Sequence, residues 1–300
     1  MMDSGQKGLV GFMGLGNIGA PMAARLLDMG YRVIGYDVKP ETGEALRGRN
    51  GFSRAEHPSE VHGAARIVLL SLPSSRQVEE VLTGPDGIAA SGGTIRFVLD
   101  TSTSIPASTR RLSARLRDAG IRMIDAPISG GLARARDGHL TVMAGGEADD
   151  LEFVRPLLEC LGTVHHLGPA GSGHVAKLVN NLILGVNMAV LSEGLSLGEA
   201  AGLDMPTLVE VIKKSTGASQ VLEARGWRLV DRDFERPQAT LSILHKDVGA
   251  ALGVAEELGV AMPIGAAALQ LYRIGMRLGF GEQDYAAVAR VYEHFADADK

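Results

Sequence analysis

The sequence predicts a doubly wound α/β sheet followed by an all-α domain, and three observations carry that prediction. Strand-like and helix-like runs alternate through the first half of the chain, a glycine-rich turn follows the first strand-like run, and beyond Gly168 only helical patterns remain. Strands alternating with helices build parallel βαβ units, whereas uninterrupted helical periodicity builds a bundle. In order, GLVGF (8–12) reads as a strand, Ala20 to Met29 as a helix ending at Gly30, and RVIGY (32–36) as the next strand. The rhythm returns with RIVLL (66–70), a helical run from Gln77 to Leu82, IRFVL (95–99) and a helix from Pro106 to about Ala119. After Ile121 come three β-type runs, IRMIDAP, LTVMAGG and TVHHLG, with a helix between the last two. Helices then follow at Gly173–Ala201, Pro206–Lys214, Gln220–Val230, Leu241–Leu258, Ile264–Leu278 and Asp284–Phe295, punctuated by glycine and proline. The domain boundary is expected near residue 168: residues 1–168 as the α/β domain, 169–300 as the helical one.

Composition narrows the function classes. Three hundred residues suffice for two compact domains. The net charge is −5 with both signs interspersed and no basic stripe, which argues against a nucleic-acid partner. The single cysteine, Cys160, forbids an intrachain disulfide and fits a reducing, cytoplasmic setting. The opening stretch MMDSGQKG has no apolar core of a secretory signal. The most apolar long run, Leu178 to Leu203, contains Asn180, Asn181, Asn187, Glu193 and Glu199, and reads as a buried helix rather than a membrane span. His165 and His166 are adjacent on a strand and face opposite ways, and His57 and His62 lack the i,i+4 spacing of paired helical ligands, so no metal site is expected. No Gly-x-Ser-x-Gly elbow is present, and Ser129 has no base placed for it, so a serine hydrolase is not indicated.

The glycine-rich turn, GFMGLGNIG, spells Gly14-x-Gly16-x-x-Gly19 between the first strand and the first helix, and Asp37 ends the next strand eighteen residues after Gly19. That context is the dinucleotide-binding Rossmann fingerprint. Gly14 permits the tight turn, Gly16 lets backbone approach a pyrophosphate, and Gly19 lets helix pack on strand. The helix N-terminus offers N–H groups and a positive dipole end to the phosphates. Asp37 would accept from an adenosine ribose and repel a 2′-phosphate, so NAD is the expected cofactor, with NADP second because Lys39 lies close by. A separate puzzle is GSGHVAKLVNN (171–181), where Lys177 and Asn181 share one face of an apolar helix. A lysine kept there either covers apolar surface with its stem or takes part in chemistry.

Four motifs in order resemble the β-hydroxyacid dehydrogenases of the 3-hydroxyisobutyrate dehydrogenase type, over about Gly8 to Phe295: GFMGLGNIGAPMAARL (11–26), DAPISGGLARARDGHLTVMAGG (125–146), GSGHVAKLVNN (171–181) and KDVGAAL (246–252). The resemblance implies NAD-dependent hydride transfer between a short 3-hydroxy acid and its semialdehyde or keto acid. It makes Lys177 the catalytic acid/base. It gives Ser129, Gly130, Gly131 and Asn181 to the substrate. To the cofactor it gives Gly14, Leu15, Gly16, Asn17, Ile18, Gly19, Asp37, Leu72, Pro73, Thr103 and Lys246. A small anionic hydroxy acid is the expected partner, neither nucleic acid nor membrane, and the family implies a homodimer or homotetramer built on the helical domain. The chain departs from its relatives at Arg134, where glycine or lysine is common, at His139, where threonine is usual, and ahead of Lys246, where an aromatic is missing from RPQATLSILHKD. From the residues alone, Lys246–Asp247 reads as a solvated pair. A 6-phosphogluconate-dehydrogenase-like enzyme is the alternative within enzymology, disfavoured by Asn180 in place of a histidine and by a short helical domain. A non-catalytic dinucleotide-binding reader module is the other, disfavoured by the presence of Lys177 and the lack of a basic tail.

Overall fold

The computed structural model describes residues 7–298, with side chains to residue 295. The expectation that MMDSGQKG is no secretory signal falls on residues that, up to Gln6, lie outside the described residues. The chain divides into two compact units, residues 1–177 and 178–300.

The first unit is built on β1 (Leu9–Met13), α1 (Gly19–Asp28), β2 (Arg32–Tyr36), β3 (Phe52–Arg54), α2 (Pro58–Ala64), β4 (Ile67–Leu70), α3 (Ser75–Thr83), β5 (Phe97–Asp100), α4 (Pro106–Asp118) and β6 (Arg122–Asp125). The six strands pair in parallel in the order β3-β2-β1-β4-β5-β6. Their apolar runs are continuous because both faces are covered, as parallel sheets require. Alternate residues feed opposite layers: Val10, Phe12, Leu69 and Leu99 pack under α1, while Met13, Val68, Leu70 and Val98 pack against Val61, Val78, Leu82 and Leu112. A second, three-stranded sheet follows, from β7 (Ile128–Ser129), α5 (Gly131–Asp137), β8 (Leu140–Ala144), α6 (Ala148–Leu158) and β9 (Gly162–His166), with β7–β8 antiparallel and β8–β9 parallel.

Four features go beyond the sequence reading. The three-residue strand β3 and the short helices α2 and α5 were not anticipated, each too short to show a period. The run IRMIDAP splits: β6 completes the parallel sheet, and after Pro127, which cannot donate to a ladder, the chain enters the small sheet as β7.

The helix α7 (Ser172–Ala200) starts in the first unit and continues into the second, which holds α8 (Met205–Lys213), α9 (Gln220–Asp231), α10 (Leu241–Glu257), α11 (Pro263–Arg277), a 3₁₀ turn at Tyr285–Val288 and α12 (Ala289–Ala298). Asp204, Ser219 and Thr240 cap α8, α9 and α10 by accepting from the backbone N–H groups of Thr207, Leu222 and Ile243. The core gathers Met188, Leu241, Leu244, Val248, Leu269 and Tyr272. A Cβ on Gly185 would lie 2.7 Å from Val248 Cγ2, so this glycine is what lets α7 and α10 approach closely. Helix α7 is long and apolar enough by length and composition to cross a membrane. The sequence reading made it a buried helix. In the structure only 33% of its most apolar window is buried, and Val179, Ile183, Val190 and Leu197 form an exposed stripe.

Candidate active site

The strand order reverses between β1 and β4, so a crevice opens outside their carboxyl ends. Gly14 follows β1 with φ +94°, a region that favours glycine, and a Cβ there would sit 2.2 Å from the Ser71 carbonyl after β4. A Cβ on Gly19 would sit 1.9 Å from the Gly14 carbonyl, which seats α1 directly on the turn. A Cβ on Gly16 would meet nothing within 4 Å. Helix α1 starts without a side-chain cap and without an acidic residue in its first turn, the state an anion-binding terminus needs. Asn17 is exposed and Ile18 half-buried beside it.

Asp37, immediately after β2, turns its carboxylate back on this loop. Oδ2 accepts from Leu15 N at 2.7 Å and Oδ1 from Lys39 N at 2.9 Å. Leu15 therefore serves the loop through its backbone, and its side chain is in the core. A carboxylate has about four acceptor sites, so each oxygen keeps capacity for a ribose hydroxyl. Arg54, which the sequence reading did not single out, donates to the backbone carbonyls of Asp37, Lys39 and Thr42, so its guanidinium holds the loop after β2 in shape. These residues fit an adenosine diphosphate with free ribose hydroxyls: an open backbone cradle at Gly16 and an anchored carboxylate at Asp37.

The loops after β4 and β5 are tied together, since Leu72 N donates to Ser102 Oγ at 2.9 Å. Leu72, Pro73 and Thr103 lie half-buried to exposed on these loops. Ser129 ends β7, and Gly130 (φ 137°) and Gly131 open α5. The stem of Arg134 lies over Gly130, with Cδ 2.9 Å and Cβ 3.1 Å from where a Gly130 Cβ would be, and Arg134 is exposed.

Lys177 stands on the second turn of α7, half-buried. What sets that helix in place is a polar cluster the sequence reading missed. Asp100 and Asp125 end the adjacent strands β5 and β6 as register partners, and both are fully buried. Asp125 caps the start of α7, accepting from Gly171 N at 2.7 Å and His174 N at 3.0 Å. Asp100 accepts from Ser102 N at 3.0 Å and Ser104 Oγ at 3.2 Å. The fully buried His174 ring lies between them, its Nε2 3.1 Å from the Ser102 carbonyl and its Nδ1 2.8 Å from Thr109 Oγ1. A carbonyl only accepts, so Nε2 carries a proton. Buried carboxylates are tolerated when hydrogen-bonded, and each here has two donors. The result is a rigid base joining the loop after β5 to the helix that carries Lys177.

In the helical unit, Asn181 is buried on α7, Lys246 lies on the first part of α10 with its side chain 39% exposed, and Asp247 is 2% exposed. Asp247 is thus not the solvated residue the sequence suggested. Among the described residues no group of three or more His, Cys, Asp or Glu side chains could hold a metal ion.

A doubly wound sheet with this loop at its switch point defines a dinucleotide-binding protein. Comparison with known proteins agrees. The family model for the NAD binding domain of 6-phosphogluconate dehydrogenase matches residues 9–168, and that for the NAD-binding region of NADP-dependent 3-hydroxyisobutyrate dehydrogenase matches residues 171–292. The chain is 38% identical over 288 residues to a 2-(hydroxymethyl)glutarate dehydrogenase of Eubacterium barkeri, covering 95% of this chain and 94% of that one. It is 36% identical over 292 residues to an NAD-dependent L-serine dehydrogenase of Pseudomonas aeruginosa, covering 95% and 97%. A crystal structure of 3-hydroxyisobutyrate dehydrogenase from Salmonella typhimurium superposes with a TM-score of 0.87 at 28% identity, covering 95% of this chain and all of that one. The chain belongs to the β-hydroxyacid dehydrogenase family, and its cofactor is NAD.

Proposed function

We propose that this dehydrogenase oxidises a short 3-hydroxy acid bearing a second anionic group to the corresponding semialdehyde or keto acid, and catalyses the reverse. NAD, when bound, supplies the hydride acceptor. Gly14 to Gly19 hold its pyrophosphate and Asp37 its ribose, with Leu72, Pro73, Thr103 and Lys246 completing the cofactor contacts. Ser129 and the N–H groups of Gly130 and Gly131 hold the substrate carboxylate, and Asn181 orients the substrate. Lys177 takes the hydroxyl proton as hydride leaves the carbinol carbon, help worth typically ~10²–10⁴-fold.

The observation that carries this reading is the rigid seat of Lys177: a helix start locked by Asp125 and His174 onto the carboxyl ends of β5 and β6. General acid–base catalysis needs such fixed placement. Rates of NADH formation over a panel of 3-hydroxy acids, with Lys177→Ala alongside, test it. Turnover should vanish in the variant while NAD affinity holds; near-normal turnover would remove Lys177 from the mechanism.

The second anionic group rests on Arg134. Its stem lies over Gly130, which supports a guanidinium within reach of the proposed carboxylate site. A planar fork of donors suits a further carboxylate. The Eubacterium barkeri relative is named for a dicarboxylate, 2-(hydroxymethyl)glutarate. Arg134→Gly should lower kcat/KM for that dicarboxylate by about 10- to 100-fold and leave 3-hydroxyisobutyrate nearly unaffected, the range expected for a charge-assisted hydrogen bond. Equal effects on both substrates would make Arg134 a surface charge.

The exposed stripe Val179, Ile183, Val190 and Leu197 supports a homodimer or homotetramer joined through α7, with residues 169–300 serving both substrate and assembly. Light scattering in solution reads the assembly directly. One cysteine in 300 residues supports a cytoplasmic setting.

A further inference from the structure

The helical unit contains a short, partly buried chain of polar groups, of which the proposed reaction uses Asn181 and Lys246 but not Asp247. Asn181 Nδ2 donates to Asp247 Oδ2 at 2.6 Å, and Asn180 Nδ2 donates to Asn181 Oδ1 at 3.0 Å. The other oxygen of Asp247, Oδ1, takes no hydrogen bond of good geometry yet lies 3.2 Å from Lys246 Nζ. Asn181 is 7% exposed and Asp247 2%. The contact exists because α7 and α10 pack closely one turn further on, where Gly185 admits the Val248 side chain.

An ionised carboxylate can only accept. Asp247 therefore compels Asn181 to present its amide nitrogen to α10, which sets the direction of the amide oxygen as well. An asparagine without such a partner has two near-equivalent amide orientations. Buried carboxylates that keep an ion pair and a hydrogen bond hold their neighbours firmly, since losing either partner exposes an uncompensated charge.

Resting on the reading that Asn181 orients the substrate and Lys246 contacts the cofactor, we infer that Asp247 is a positioning residue that fixes both. It touches neither reactant. One oxygen holds the amide of Asn181 in a single orientation, and the other restrains the ammonium of Lys246.

The test is a double-mutant cycle on the full-length enzyme, with Asp247→Asn, Asn181→Ala and the pair, reading kcat, KM, NAD affinity by fluorescence titration and Tm. Asp247→Asn keeps the shape and removes the obligatory acceptor. It should raise KM for the hydroxy acid by about 10- to 100-fold, the span of a hydrogen bond to a charged group, with a smaller fall in kcat. NAD affinity should weaken several-fold through Lys246. In KM for the hydroxy acid the pair should lose scarcely more than Asn181→Ala alone, because there both changes break one contact. A general structural defect would instead lower Tm and multiply the losses. Unchanged KM and NAD affinity in Asp247→Asn, or losses that multiply in the pair's KM for the hydroxy acid, overturns the inference. If Asn181→Ala itself leaves kcat/KM unchanged, the role given to Asn181 fails, and the positioning role with it. Should Asp247→Asn not fold, Asp247→Glu moves the carboxylate by one methylene. A wild-type KM in that variant overturns the inference, and a raised KM at an unchanged Tm supports it.

Discussion

Replacing Gly173 by alanine should disable the enzyme without touching any residue assigned to substrate or cofactor. A Cβ at this position would lie 2.2 Å from the Met143 carbonyl oxygen and 2.9 Å from both the Asp125 carbonyl and Asp125 Oδ2. The first of these neighbours is backbone in β8, the strand that β9 pairs with in parallel, and it cannot step aside cheaply. Relieving the contact to an ordinary carbon–oxygen separation moves the start of α7 by roughly 1 Å. The same movement stretches the two hydrogen bonds by which Asp125 caps the helix, 2.7 Å from Gly171 N and 3.0 Å from His174 N. Lys177 is four residues further along the same rigid rod and travels with it. A misplacement of about 1 Å costs on the order of 10²-fold in rate, close to 2.7 kcal/mol of transition-state stabilisation. Stability moves less: overpacking costs about 1–3 kcal/mol, partly offset by the ~1 kcal/mol that alanine gains over glycine in a helix. The assay is kcat/KM with the preferred hydroxy acid, alongside NAD affinity and Tm. The expected outcome is a fall of about two orders of magnitude in kcat/KM with NAD affinity within about two-fold and a Tm lower by several degrees. A folded variant with near-normal kcat/KM would show that the start of α7 does not govern the position of Lys177.

Three further outcomes follow from the same geometry. Gly16→Ala should leave Tm unchanged, since its methyl meets nothing within 4 Å, and should weaken NAD binding by about ten-fold or more by crowding the pyrophosphate; unchanged affinity in a calorimetric titration would remove Gly16 from the cofactor site. Asp37→Asn should raise kcat/KM for NADP relative to NAD by about ten-fold, because the charge that repels a 2′-phosphate is gone; a fixed ratio would show that discrimination lies elsewhere. His62 is buried, and desolvation holds its pKa below the ordinary 6.5, so the unfolded chain takes up the proton first. Its contribution to stability is complete above pH 6.5, is lost as pH falls from there through the lowered folded value, and levels off below it; His62→Leu should flatten that part of a Tm-against-pH curve, and an unaltered slope would place the titration elsewhere.

The geometry of the glycine loop was legible in the sequence because it is local. Gly14, Gly16, Gly19 and Asp37 lie within one βαβ unit, and their spacing alone specifies a turn, a helix start and an acid at the next strand end. The support for Lys177 was not legible, because it is assembled from segments far apart in the chain. Asp100 and Asp125 are 25 residues apart and become neighbours only through the parallel register of β5 and β6, while His174 arrives from beyond the second sheet. One signal was present: an aspartate directly after an apolar run at the end of a strand, in both FVLD and RMID. A carboxylate at the carboxyl end of a buried strand has to find donors, and the nearest are helix or loop N–H groups beyond it. Asp247 misled for the opposite reason. Beside Lys246 in sequence it reads as half of a surface pair, and only the close packing of α10 on α7 buries it against Asn181. Helix α7 misled through its composition. Its apolar content suggested a buried helix, whereas composition alone does not tell which face packs, and Val179, Ile183, Val190 and Leu197 leave one stripe exposed.

The three glycines of the loop differ in what keeps them glycine, and the difference bears on function. The molecule itself explains Gly14 and Gly19: a side chain at either would strike a backbone carbonyl, at 2.2 Å and 1.9 Å, before any ligand arrived. It does not explain Gly16, whose backbone is outside the left-handed region and whose surroundings are open. Open glycines occur elsewhere, at Gly63 and Gly194 in α2 and α7, where helix exteriors face solvent and an alanine would be welcome. Gly16 is different in place. It lies between two glycines that the fold requires, at the carboxyl end of β1, where the strand order reverses and where an uncapped helix begins. A residue type that neither packing nor backbone conformation demands, at the point where the fold collects N–H donors, is accounted for by something outside the chain that must come as near as a hydrogen atom allows. A pyrophosphate does so. That is why Gly16→Ala and Gly173→Ala form a matched pair: the first should lose the cofactor and keep the fold, the second should keep the cofactor and lose the chemistry. Were both to fail in the same way, the division of labour between the loop and the helix start would be wrong.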